Sequence, residues 1–209
     1  MTRTAGEIIE QAHLILQDDG TRWSPAELYL WIDEAQRFVA KVVPEALAAQ
    51  ATVTLATGAE QTLPDDGVFL FRVLHDGSGY IPRQTTKRGM DVISPNWHKE
   101  TASSSIRQYM MDDYEPRRYW VYPPNNGASA TIEYQRKPAP IVGDTTALSC
   151  ADHFFTAVLD YVLYRAYDKD AEDAVNKALS ESHYNRAISH LGITPRAAKQ
   201  VVEQEKANG

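Results

Sequence analysis

The sequence predicts an α+β fold: a helical bundle built from the two chain ends, with a mainly antiparallel β lobe inserted between them. Three observations carry this. Apolar residues recur at helical spacing over about the first 50 residues. From about residue 51 the period changes to two, and after Pro138-Ala139-Pro140 it returns to helical. The expected organisation is 1–50 and 149–193 as the bundle, 51–148 as the lobe and 194–209 as a C-terminal arm.

The first helix starts at a capping box, Thr4 with Glu7 three residues on, and carries the stripe Ile8, Ile9, Ala12, Ile15 and Leu16. Asp18-Asp19-Gly20 ends it. Ser24-Pro25-Ala26-Glu27 reads as a second capping box with proline at the first helical position, where its missing N–H costs nothing. Leu28, Trp31, Ile32, Ala35, Phe38, Val39 and Val42 continue that helix until Pro44 stops it.

Thr52–Thr57 and Glu60–Pro64 around Gly58-Ala59 read as a β-hairpin, followed by the strand Phe69–Leu74. Further strands are expected at Ser105–Met111, Arg117–Tyr122 and Ala130–Arg136, separated by turns at Asp112-Asp113 and at Pro123-Pro124-Asn125-Asn126-Gly127. Lys87–Val92 is a short helical candidate. The last helices are expected at Ala151–Tyr167, Ala171–Leu191 and, more weakly, Pro195–Ala207. The first of these is apolar around most of its girth, with Phe155, Leu159, Val162 and Ala166 on one stripe and Phe154, Val158, Tyr161 and Tyr164 on the next. Such a helix needs cover on more than one side. Leu159 and Val162 are therefore expected in the bundle core near a neighbouring copy, with Tyr164 and Tyr167 facing that copy.

Composition narrows the function. The chain has 209 residues, 43% apolar and 23% charged, with a formal charge of −7. A dedicated nucleic-acid binder would show a basic footprint. The two ends are acidic (4 basic and 8 acidic side chains in 1–50, 7 and 9 in 149–209) and the middle, with 10 and 11, is nearly neutral. One cysteine, Cys150, excludes a disulfide scaffold and a cysteine zinc cage. The first residues lack the apolar core of a secretion signal, and Asp160 and Arg165 interrupt the longest apolar run, so cytosolic folding without membrane insertion is expected.

No phosphate loop, dinucleotide fingerprint, H-E-x-x-H or G-x-S-x-G occurs, so neither catalytic residues nor a cofactor are expected. The six histidines never stand four apart, and His183 with His190 reads as a solvated or core-edge coincidence, so no metal is expected either. Asp65-Asp66 and Asp112-Asp113 sit where carboxylates cap turn amides. Arg117-Arg118-Tyr119-Trp120-Val121-Tyr122 looks basic and aromatic, but strand alternation divides Arg118, Trp120 and Tyr122 from Arg117, Tyr119 and Val121, as in a strand packed on both faces. Trp97, in Ser94-Pro95-Asn96-Trp97-His98, fits either a partner contact or a buried loop anchor.

Several of these segments, in this order, resemble the adaptor, or head-to-tail connector, proteins of tailed bacteriophages, similar in plan to the tail tubular protein A of short-tailed phages. They are the two N-terminal helices, Val53-Thr54-Leu55, Gln61-Thr62-Leu63-Pro64, Asn96-Trp97-His98, Tyr119-Trp120-Val121-Tyr122-Pro123-Pro124 and Leu159 through Glu172. The resemblance spans about residues 4 to 191. It implies a virion protein at the head-tail junction, made in the host cytoplasm. The resemblance further implies a ring of twelve copies between the portal protein and the tail tube or nozzle, with DNA passing through the lumen unread. By the same analogy the arm docks on the portal, with Val201 and Val202 as its apolar contact and Arg196 and Lys199 pairing with carboxylates. Two other classes stay open: a small-molecule-binding or enzymatic α+β domain using the carboxylates and tyrosines around Asp160, and a nucleic-acid module using Arg117, Arg118 and Trp120.

Overall fold

The computed structural model describes residues 3–192, so the arm with Arg196, Lys199, Val201 and Val202 lies outside the described residues. The fold is α+β, with five α-helices and two mainly antiparallel sheets among these residues. The chain divides into two compact units, a helical one of 1–47 and 138–209 and a β unit of 48–137. The segment 138–148, which the pattern groups with the lobe, clusters with the helices. There the N–H groups of Ala5 and Gly6 donate to the carbonyls of Thr146 and Asp144, and Leu148 N–H donates to Arg3. Gly6 permits this approach, because a Cβ there would stand 3.0 Å from the Asp144 side chain.

In the helical unit, α1 (Ala5–Leu16) opens on the capping box: Thr4 accepts from Glu7 N–H while the Glu7 carboxylate accepts from Thr4 N–H. The helix α2 (Pro25–Val42) opens on Ser24, which accepts from Glu27 N–H. The expected second box is only half made, since the Glu27 carboxylate is taken by Lys169 Nζ at 2.8 and 2.9 Å. Pro44 ends α2 as expected. A short 3-10 turn leads into α4 (Phe155–Asp168), and α5 (Ala174–His190) starts later than the pattern suggests because Asp173 caps it. α1, α2 and α5 all pack on α4.

In the β unit, β1 (Ala48–Thr54), β7 (Ser129–Arg136) and β3 (Gly67–Asp76) form one sheet, with β7 central. β2 (Gly58–Thr62), β6 (Arg118–Asn125), β5 (Gln108–Met111) and the two-residue β4 (Arg83–Gln84) form the other. Two expectations fail here. β1 and β2 do not pair as a hairpin but enter different sheets. The buried Gln61 explains this: its side-chain oxygen accepts from Ala56 N–H and its amide donates to Ala56 and Gly58 carbonyls, so a side chain takes the place of the cross-strand ladder at the turn. Nor does Pro123-Pro124 break the chain. β6 runs through it because pairing there uses carbonyls, with Ser103 N–H donating to Pro124. The turn comes after it, where buried Asn125 accepts from Gly127 and Ala128 N–H.

The two sheets enclose a core of Leu70, Val73, Tyr109, Tyr119, Val121, Ile132 and their neighbours. The outer face of the second sheet carries a smaller cluster of Ala59, Met90, Trp97, Met110 and Trp120, supplied in part by α3 (Lys87–Ile93).

Candidate assembly surfaces

The helix α4 is the best-covered element of the helical unit. Nine of its residues, from Phe155 to Ala166, are buried. Cover by α1, α2 and α5 meets the need that its apolar girth creates. Val162 is fully enclosed and Leu159 retains 8% exposure, so both serve this core and leave almost no surface for a neighbour. Tyr164 is half-buried, its ring 5.4 Å from Tyr161 and 5.1 Å from Tyr184. Tyr167, also half-buried, stacks on His183 at 5.6 Å and 11°. Each keeps an accessible edge.

The acid in this apolar helix is partnered. Asp160 is 5% exposed, and His183 Nδ1 lies 2.7 Å from its Oδ1. His190 Nε2 lies 3.2 Å from Oδ2, and an Arg186 guanidinium nitrogen is 3.9 Å from Oδ1. Residues 183, 186 and 190 share one face of α5, so what reads as a coincidence of two histidines is a stripe of donors aimed at one carboxylate. What the sequence offers is a fragment of this: Asp160, an acid inside the apolar run of α4, and a His-x-x-Arg-x-x-x-His stripe on the next helix. The cluster fixes α5 onto α4, because a buried carboxylate is tolerated only when its oxygens are hydrogen-bonded. Among the described residues no group of three or more His, Cys, Asp or Glu side chains is placed to hold a metal. Burial pushes the Cys150 thiol up to about 11, which leaves it protonated and a poor nucleophile at neutral pH.

In the β unit both faces of β6 are packed. Tyr119 and Val121 face the inter-sheet core, while Trp120 lies in the outer cluster. The arginines beside it are engaged within the unit. Arg118 Nε donates to Asp112 at 2.7 Å, and Arg117 donates to the Pro64 carbonyl at 3.1 Å. Lys87 Nζ stands 4.3 Å over the Trp120 ring. Of the two readings for Trp97, the structure shows the anchor: it is 2% exposed and its indole N–H donates to Asp91 at 2.8 Å. Above it opens a cleft of about 430 Å³ with Glu60, Lys87, Asp91 and His98 at its rim. Two carboxylates, Glu60 and Asp91, share that lining with Lys87, unlike the single-sign field of a phosphate-binding groove.

The apolar surface that remains is distributed. Leu14 on α1, Leu30 on α2 and Val175 on α5 are each more than 60% exposed. Val92 and Ile93 at the end of α3 are adjacent and about 80% exposed. Sequence periodicity missed these contact candidates because each lies off its element's buried stripe.

In the helical unit the buried polar cluster at Asp160 is enclosed between two helices, while α1, α2 and α5 each carry a large apolar side chain outward, where another protein could cover it. The family model of the SU10 adaptor protein matches residues 3–204, nearly the whole length, and the chain belongs to that family. It is thereby a phage structural adaptor, a component of the virion that assembles with other phage structural proteins. No curated protein shows a significant match. No helix among the described residues is long and apolar enough to cross a membrane.

Proposed function

We propose that this adaptor forms a ring, of twelve copies, between the portal protein and the tail tube or nozzle of a tailed phage, on the plan of tail tubular protein A. DNA passes through its lumen without sequence reading. The observation that carries this is the adaptor-family match over residues 3–204. The net charge of −7 fits it, since a lumen lined with excess acid lets DNA slide without adhering. The outward Leu14, Leu30 and Val175 fit it as well, because side-by-side copies would cover them.

In this reading the protein works by contact and carries no bond chemistry. The helical unit supplies contacts to neighbouring copies, and the β unit of 48–137 supplies a contact to the tail. The edges of Tyr164 and Tyr167 meet the neighbouring copy, and the arm 194–209 docks on the portal through Val201, Val202, Arg196 and Lys199.

Mixing the purified chain with its phage's portal protein and measuring the complex mass tests the ring directly. Twelve copies per portal ring, seen as a closed ring by electron cryomicroscopy, is the expected result. An unbound chain, or a complex of one or two copies, overturns it. Deleting 194–209 should weaken portal attachment while leaving the melting temperature of the isolated protein nearly unchanged.

A further inference from the structure

The free edges of the two sheets differ in how they are defended. Unpaired strand edges invite pairing with another chain, and proteins blunt them with charge, bulges or brevity. β3 carries Arg72 and Asp76 and slips register against β7 at three points. β2 carries Glu60 and a bulge, and β4 is two residues long. β1 has none of these protections. Its seven residues, Ala48-Ala49-Gln50-Ala51-Thr52-Val53-Thr54, hold no charge, no proline and no glycine, and they pair with β7 in unbroken register. Among the described residues β7 is the only strand that pairs with it. Its inward row is also under-covered: Ala49, Ala51 and Val53 are only half-buried, while their partners on β7, Tyr134, Ile132 and Ala130, are buried.

We propose that β1 pairs antiparallel with β1 of a second copy, about a two-fold axis at Ala51, joining two three-stranded sheets into one of six. Among the described residues only this strand of the free edges is regular and uncharged, which makes a second copy of itself its matching partner. Centring on Ala51 uses all seven residues and keeps the faces matched, because side chains alternate. Ala49 then lies opposite the second copy's Val53 on the inward side, adding the missing cover, and Gln50 lies opposite its Thr52 on the outward side. A two-fold contact closes at two copies. The pairing therefore describes the free protein and does not depend on the twelve-fold ring.

Sedimentation and light scattering of the full chain without portal test it. The wild type should be a dimer at millimolar chain concentration. Gln50→Lys with Thr52→Lys sets like charges opposite each other twice and should weaken dimerisation about tenfold or more. Gln50→Lys with Thr52→Glu sets opposite charges there and should restore dimerisation. Circular-dichroism melts check that both variants fold. Independently of charge, Ala51→Cys should cross-link between copies under mild oxidation, since directly opposed residues stand about 5 Å apart. Thr54→Cys should not, its two copies lying roughly 20 Å apart along the strands. A monomeric wild type overturns the proposal, as does equal behaviour of the two charge variants or equal cross-linking at 51 and 54.

Discussion

Two helices dock on α4 by opposite means. α2 does so through an apolar stripe of Leu28, Trp31, Ile32, Ala35 and Val39, all buried. α5 buries only Ala187 and Ile188 among its apolar side chains and adds Ser180 and His183, with Asp160 received from α4. An apolar stripe is tolerant, since neighbouring registers bury similar area. A carboxylate that needs its donors at hydrogen-bond distance accepts one register only. The α2 contact is adhesive at its centre, with Glu34 at its edge accepting from Tyr161 and pairing with Arg165, whereas the α5 contact places its polar cluster in the buried centre, so a charge is ruinous in the first and a lost charge is costly in the second.

The largest effect expected is that of Val162→Asp, which places an unpaired carboxylate where nothing can hydrogen-bond it. The cost exceeds about 4 kcal/mol and should leave the helical unit unfolded, seen as loss of helical circular dichroism at 25 °C. Retained wild-type helicity would show that α4 is not central. Next comes Asp160→Ala, which orphans His183 and should cost about 3 kcal/mol. The comparison sharpens with Asp160→Leu combined with His183→Leu, which removes both partners. If the cluster aligns more than it stabilises, this pair should cost only about 1 kcal/mol or less in urea melts. A double variant as unstable as Asp160→Ala would mean that the cluster is itself a main source of stability.

The same contrast explains what the sequence disclosed. α1, α2 and α4 were legible because burial of a stripe repeats at a fixed spacing, and the capping box at Thr4 is a local pattern. The Asp160 cluster was not, because its members come from two helices and only the fold brings residue 160 to residues 183 and 190. Among the strands, alternation located β3 and β7. The pairing of β1 and β2 was misread because Gln61, a buried polar side chain, completes the turn in place of a ladder. The candidate surface was the least legible part. Leu159 and Val162 stand out in the sequence by apolarity, and apolarity alone does not distinguish a residue its own chain covers from one awaiting a partner.

The β unit has a buried carboxylate of its own, more completely satisfied than Asp160. Asp76 is fully buried; burial raises its pKa, but hydrogen bonds from the Ser78 and Ser105 hydroxyls and the Tyr80 and Ile106 N–H groups outweigh this and hold it well below the usual carboxylate range. A depressed folded pKa gives stability that is present above the unfolded value of about 3.9 and lost as pH falls below it. Asp76→Asn should cost about 2 kcal/mol at pH 7 and flatten the loss of stability between about pH 4 and pH 2. Urea melts followed by tryptophan fluorescence at pH 7 and pH 3 read both effects. Parallel losses in wild type and variant would show that other groups govern acid unfolding.

The smallest effects separate the two helix starts. At α1 the Glu7 carboxylate accepts from Thr4 N–H at 2.9 Å, a bond to a neutral backbone group. At α2 the equivalent Glu27 leaves its cap and pairs with Lys169 Nζ, whose side chain is 46% exposed. Removing either carboxylate with alanine should cost about 1 kcal/mol or less. Salt tells them apart, because the Debye length shrinks to about 3 Å at 1 M and screens an exposed ion pair far more than a bond to backbone N–H. Most of the Glu27→Ala cost should therefore vanish in 1 M salt, measured against wild type in the same buffer, while most of the Glu7→Ala cost persists, less the share contributed by its ion pair with Arg3 at 3.4 Å. Equal salt sensitivity at the two positions would mean that the reciprocal cap at Thr4 contributes nothing beyond charge.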